Sequence, residues 1–154
     1  PAVSSRAHVK SIEQYRQMYD ESVSNPEKFF GDIAREFYWN TPFSSVGPSF
    51  NFARSRGPIR SEWFLGGRTN MAYNCLDRHI SQGKGGQVAF HYESNDVTDA
   101  ASRDFTYQEV HAMVCQCANA LKNMGIGKGD RVTIYLPMVV QLPVAMLACA
   151  RIGA

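Results

Sequence analysis

Residues 105–154, FTYQEVHAMVCQCANALKNMGIGKGDRVTIYLPMVVQLPVAMLACARIGA, read as a helix, a strand and a second helix. Thr106 and Glu109 have the spacing of a capping box and open an amphipathic run. Val110, Val114, Cys117, Leu121 and Met124 recur at steps of four, three, four and three, which predicts one helical face. Gly125 supplies the left-handed residue that ends helices, so the helix spans about Tyr107 to Met124. After the turn Gly125-Ile126-Gly127-Lys128-Gly129-Asp130, the β-branched and aromatic run Arg131 to Leu136 predicts an interior strand closed by Pro137. Gln141 to Ile152 is apolar nearly all round and predicts a helix covered on most sides, with Pro143 tolerated in its first turn. Strand followed by buried helix is half of a βαβ unit, whose returning parallel strand is expected after Ala154. The chain is therefore expected to end before its own core is complete.

Upstream, Ser11 with Gln14 predicts another capping box, and Ile12, Tyr15, Met18, Tyr19 and Val23 form a helical stripe. Asn25-Pro26 then restarts a helix, with asparagine as cap and proline at its first position. Phe29, Phe30, Ile33, Ala34 and Phe37 share one face of that helix, and such stripes ordinarily pack in a core. Asn40 to Glu62, with Pro42, Gly47, Pro48 and Pro58 and little periodicity, reads as an irregular surface connection. Asn70 to Ser81 is predicted as a short helix and Val88 to Tyr92 as a strand. Ser94 to Arg103 is polar and reads as a loop, and Asp104-Phe105-Thr106 is its return in a hairpin.

Three ordered blocks then become recognisable. Trp63-Phe64-Leu65-Gly66-Gly67, followed by Arg68-Thr69-Asn70-Met71-Ala72-Tyr73-Asn74-Cys75-Leu76-Asp77-Arg78-His79, resembles the W-F-x-G-G-x-x-N-x-x-Y-N-C-L-D-R-H signature of AMP-forming acetyl-CoA synthetases, of the adenylate-forming (ANL) superfamily. Lys128 to Val132, Tyr135 to Met138 and Ala145 to Ala154 are similar to that family's K-G-D-R-V, Y-x-P-M and A-M-L-A-C-A-R-I-G-A blocks. Ser11 to Trp39 is similar to its N-terminal helical extension. One departure is Val140-Gln141-Leu142-Pro143, where many members carry Pro-Glu-Ala-Ala, so no carboxylate role is assigned at that helix start.

The resemblance implies an α/β fold: a helical N-terminal extension and surface wrap over residues 1–62, then over 63–154 the first strands and helices of the large N-terminal domain of an acyl-adenylate-forming enzyme, incomplete at its C-terminus. It implies a parent enzyme in which acetate attacks ATP to give acetyl-adenylate and pyrophosphate, after which coenzyme A takes the acyl group and AMP leaves. ATP, Mg2+ and CoA are the implied cofactors of the full-length enzyme and acetate its substrate. Such chemistry needs phosphate-binding amides, a lysine and Mg2+. The family's Ser/Thr/Gly-rich phosphate loop, acyl-pocket tryptophan, nucleotide contacts, hinge and catalytic lysine would all lie beyond Ala154. The expectation is accordingly no catalytic, cofactor-binding or metal residue within this chain, no bound cofactor, and no activity alone.

Several residues invite other chemistry. Gly125, Gly127 and Gly129 follow a helix and precede a strand, the reverse of the order that aims helix N-terminal amides at phosphate. Gly83-Lys84-Gly85-Gly86 lacks Walker spacing and reads as a flexible turn. Cys115 and Cys117 point nearly opposite ways on a helix, and Cys117 reads as core; His111 and Cys115 share a face but lack a second ligand pair. Cys75 and Cys149 read as small buried hydrophobes, and four cysteines without framework spacing suggest a reducing compartment. Asp77-Arg78-His79 could be imagined as a relay, but surface or helix-end ion pairs are the expectation for Asp77 and Arg78.

A net charge of +2 implies no nucleic-acid affinity, and Arg54, Arg56 and Arg60 lack aromatic interleaving. No apolar run is long enough for a membrane span or serves as a signal peptide, which points to the cytosol, an organelle address removed before Pro1 remaining open. The unpaired strand and bare helix predict self-association through exposed core surface. Two alternatives stay open at this point: a naturally short, non-catalytic binding or oligomerisation module, and a synthetase acting on propionate or another short-chain acid.

Overall fold

The computed structural model describes residues 6–95 and 102–154, which fall into two compact units, 1–68 and 69–154. In the first unit, α1 (Ile12–Ser24) begins where the Ser11 hydroxyl accepts the Gln14 amide at 3.1 Å. The reciprocal half of the expected box is displaced by one residue: the Gln14 side chain accepts from Lys10 N, not from Ser11. Asn25 serves two helices. Its N–H closes α1 on Glu21 O, and its side chain accepts Lys28 N to open α2 (Pro26–Arg35), with Pro26 in the first turn, where its missing N–H costs nothing.

The helical stripes are only partly covered. Gly31 and Ala34 of α2 are buried, whereas α1 buries no residue and its Ile12, Tyr15, Tyr19 and Val23 stay exposed. Phe30, Ile33 and Phe37 are also partly open to solvent, while Phe29 is half-buried and Phe30 packs edge-on against Trp63, so within this unit the aromatic face is packed only in part.

The stretch expected to be an irregular connection is more ordered than that. Thr41 pairs with Arg68 and Ser45 with Leu65 as antiparallel bridges, and β1 (Ser49–Asn51) pairs with β2 (Arg60–Glu62) in the register Ser49↔Glu62. Three-residue strands interrupted by proline and glycine show no alternation over four or more residues, so periodicity misses them. Trp39, Phe43 and Phe64 form a ring cluster with centroids 5.0–5.5 Å apart, and Trp39 Nε1 donates to Ala34 O at 2.8 Å. A Cβ on Gly67 would lie 2.6 Å from Trp39 Cζ3. Because that indole is held by its hydrogen bond and two rings, Gly67→Ala is expected to destabilise the first unit by about 1–3 kcal/mol. Urea titration followed by tryptophan fluorescence checks this; an unchanged midpoint would show that Trp39 moves freely.

In the second unit, residues 71–84 form one helical run containing two wide π turns, Tyr73–Asp77 and Ile80–Lys84. It is broken at Gly83, whose φ of 79° and ψ of 12° are not helical, close to the expected end at Ser81 and inside the stretch Gly83 to Gly86 that is expected to turn. β3 (Val88–Tyr92) then pairs antiparallel with β4 (Arg103–Thr106), with an irregularity between Val88 and Phe90. The expected hairpin is thus present, and part of its loop lies outside the described residues.

Thr106 and Glu109 make the reciprocal capping box of α3 (Tyr107–Asn123). The Thr106 amide donates to the Glu109 carboxylate, and with the Arg103 and Thr106 side chains it lowers the Glu109 pKa to about 2. After α3 the Gly125 N–H bonds Lys122 O and the Ile126 N–H bonds Leu121 O, with Gly125 at φ 86°. α4 (Gln141–Ile152) packs on α3. The core is Leu76, Phe105, Val110, Val114, Ala118, Val140, Val144 and Ala148.

The stripe expected on α3 holds except at its end, and two other expectations are met less fully or not at all. The stripe on α3 runs through Val110, Val114 and Ala118, with Cys117 and Leu121 half-buried at its edge, and Met124, one residue past the helix, is exposed. Within the described residues α4 buries Val144 and Ala148, most of its other residues are half-buried, and Met146 is 57% exposed. Arg131 to Leu136 forms no strand: it has no ladder partner among the described residues, and Tyr135 is 98% exposed. Composition favours extended backbone there, but a strand is defined by its neighbour.

Candidate functional site

Two polar residues of the signature, Asn70 and Asp77, reach the last turns of α4. Asn70 occupies the position before the helical run, where its Oδ1 accepts Tyr73 N at 3.1 Å. Its Nδ2 reaches across the unit to Ala150 O at 2.9 Å and Arg151 O at 3.2 Å. One side chain therefore caps the start of one helix and the orphan carbonyls at the end of another. Buried Asn74 is satisfied next to it, donating to Thr69 Oγ1 and Asn70 O.

Two turns below Asn70, Asp77 accepts both guanidinium nitrogens of Arg151, Nη1 to Oδ1 at 3.2 Å and Nη2 to Oδ2 at 2.5 Å. His111 Nε2 lies 3.1 Å from the same Oδ1, and Cys115 Sγ lies 3.7 Å from that nitrogen. All three charged or titratable partners are mostly covered. Burial alone would push the Asp77 carboxyl up, but the hydrogen bonds and charges of Arg151 and His111 outweigh it and hold the pKa below the usual carboxylate range. The same carboxylate raises the Arg151 pKa against the burial that would lower it.

This arrangement disposes of the imagined relay. Asp77 turns to His111, not to His79, whose ring packs beside Tyr107 at 5.0 Å. Burial, then the nearby Arg78 and Lys84 cations, push His79 below its ordinary pKa. Asp77 is instead tied by Arg151 and His111, so its chemistry is that of a clamp.

Sequence reasoning placed His111 and Cys115 on one face of α3 and that holds, but it missed Asp77 as their neighbour, because Asp77 lies on a different helix 34 positions before His111. No group of three or more His, Cys, Asp or Glu able to hold a metal occurs among the described residues. Cys117 borders the core as expected, Cys75 and Cys149 are half-buried, and burial pushes the Cys149 thiol up.

The glycine turn offers no anion cradle. Gly127 N already donates to Asp130 Oδ2 at 2.7 Å and Gly129 N to Gly153 O at 2.9 Å, so the amides a phosphate would need are spent. Among the described residues no helix is long and apolar enough to cross a membrane.

Comparison with known proteins gives these features a context. Residues 15–75 match the family model described as acetyl-coenzyme A synthetase N-terminus, and residues 76–154 that of the AMP-binding enzymes. An acetyl-coenzyme A synthetase of Drosophila melanogaster is 47% identical over the whole chain, and a chloroplastic/glyoxysomal one of Arabidopsis thaliana 49% identical over 98% of it. The chain spans 23% and 20% of those relatives' lengths. An acetoacetyl-CoA synthetase from Streptomyces lividans superposes with a TM-score of 0.66 at 25% identity, over 87% of this chain and 19% of that one. The mixed helix-and-strand fold is thus that of part of an adenylate-forming enzyme. With two family models abutting inside the 63–79 signature, at residues 75 and 76, and the polar residues of that signature knitting the second unit together, the chain belongs to the AMP-binding enzyme family and carries the N-terminal region of its acetyl-CoA synthetases.

Proposed function

We propose that this chain is the N-terminal part of an acetyl-CoA synthetase. The whole enzyme makes acetyl-CoA from acetate, ATP and coenzyme A through an acetyl-adenylate, releasing pyrophosphate and then AMP. The observation that carries the reading is continuous similarity from residue 15 to residue 154 at nearly half identity, within about a fifth of the relatives' length. Acetate is favoured over a larger acid because the acetyl-CoA synthetases are 47–49% identical and the acetoacetyl-CoA synthetase 25%.

Within that enzyme these residues are scaffold. ATP with Mg2+ requires free amides and cations facing phosphate. The glycine-turn amides are already bonded, and Arg151 and His111 are both bonded to Asp77, so the groups present do not fit it and no reaction step passes through them. Residues 1–62 act as the helical extension and wrap, and 63–154 as the start of the adenylate-forming domain. The four thiols, none in a disulfide among the described residues, support a reducing, cytosolic setting.

Acetate-dependent exchange of labelled pyrophosphate into ATP tests both parts. The purified chain is expected to show none, and a polypeptide containing it at the relatives' full length is expected to exchange with acetate faster than with propionate. Turnover by the 154-residue chain would overturn the scaffold role, and a long form that prefers propionate would overturn the choice of acid.

A further inference from the structure

Cys115 stands where an imidazole ring and a cavity meet. Its Sγ lies 4.0 Å from His111 Nδ1, at the outer reach of a bond to sulfur, and 3.7 Å from Nε2. Asp77 decides which of the two nitrogens is open. Its ionised carboxylate can only accept, so Nε2, 3.1 Å away, carries the hydrogen of the neutral imidazole and Nδ1 is left to accept from the thiol.

The half-buried Cys115 also lines a cavity of about 390 Å3, a volume that suits a small organic molecule. Asn119 and Lys122 line it too, four and seven residues after Cys115 and so on the same face of α3, with Arg151 from α4. Arg151 is neutralised by Asp77. Lys122 has no ion pair and the Asn119 side chain no hydrogen bond among the described residues, and no carboxylate lines the cavity. The wall therefore offers a thiol, an unspent amide and an uncompensated positive charge.

We propose that Cys115 is a thiol-exchange site for a small, carboxylate-bearing disulfide of the glutathione type. The Cys115 thiol passes its proton to His111 Nδ1 and the thiolate attacks one sulfur of the disulfide. An Sγ–S bond forms as the S–S bond breaks, and the electron pair leaves on the second sulfur, which recovers the proton from His111. One disulfide is consumed, one free thiol is released, and the chain keeps the other half as a mixed disulfide. That half lies in the cavity, with a carboxylate to Lys122 and a peptide group to Asn119. No other thiol lines the cavity among the described residues, and Cys117, two positions on, points to another side of α3. The partner sulfur thus comes from outside the chain, and excess free thiol reverses the exchange.

Intact-mass and peptide-map measurements on the whole chain incubated with glutathione disulfide test this. The adduct is expected on Cys115, forming roughly tenfold or more faster than on Cys75, Cys117 or Cys149. His111→Gln keeps a donor for Asp77 but takes up no proton, and should slow the adduct about tenfold. Lys122→Glu reverses the charge at the wall. It should slow glutathione disulfide relative to cystamine, a cationic disulfide, by about fivefold or more. Because that ratio is taken within one variant, a change in fold or in the thiol itself does not move it, and circular dichroism checks that both variants fold.

Absence of an adduct on Cys115, or adducts forming at like rates on all four cysteines, overturns the proposal. A rate unmoved by His111→Gln overturns the proton transfer on which the exchange rests. A ratio unmoved by Lys122→Glu overturns the cavity as the seat of the retained half, and with it the choice of an anionic disulfide.

Discussion

Asp77→Ala is expected to destabilise the second unit by about 2–4 kcal/mol, because it strands the Arg151 guanidinium and the His111 ring in a mostly covered site with no acceptor. Urea unfolding measured on the wild-type and variant chains reads the difference. Replacing both partners, Asp77→Ala with Arg151→Leu, should recover part of the loss, since the larger cost is the abandoned charge. Simple additivity of the two single losses would show that the pair is not coupled. The pH dependence has a definite sign. With its folded pKa below that of the unfolded carboxyl, about 3.9, Asp77 contributes fully above that value, and its contribution disappears as pH falls through the lowered folded value. Wild type should therefore lose more stability than Asp77→Ala on acidification below about pH 4.

The neighbouring residue carries the other large effect. Leu76 is 2% exposed and sits in the same core as Val110, Val114 and Ala148. Leu76→Ala removes three buried carbons where helices α3 and α4 leave little room to collapse, and should cost about 2–5 kcal/mol. Leu76→Met keeps the volume and should cost less than about 1.5 kcal/mol. Equal losses in the two variants would mean that side-chain volume at this position does not govern the core. Together the adjacent substitutions separate the two ways one helical turn contributes: Leu76 by filling space, Asp77 by satisfying charge.

The sequence announces what is local. The Thr106 box, the Asn25-Pro26 restart and the short Val88–Tyr92 strand with its two aromatic rings each act within a few residues, and the structure places all three as read. What depends on distant partners was less legible. Arg131 to Leu136 has strand composition but no neighbour, and β1 and β2 have a neighbour but almost no composition signal. The clamp was invisible for the same reason. Asp77 is 34 positions from His111 and 74 from Arg151, and no spacing rule links residues so far apart. The family resemblance found the right residues, Asn70 to His79, while leaving their purpose unstated; the geometry shows that Asn70 and Asp77 hold a helix end in place.

That long reach has a consequence for how the unit comes into being. Asn70 bonds carbonyls 80 and 81 positions later, so the helical run it opens cannot be locked until the chain has been made through Arg151. At ribosomal speeds of about 5–20 residues per second, some 4–16 s separate the synthesis of the two ends of that contact. During that interval Asn74 and Leu76 have no finished site to occupy. That contact draws the segment in only once α4 is made, and nascent chains halted before α4 should leave residues 71–84 more open to proteases than chains extended past Arg151.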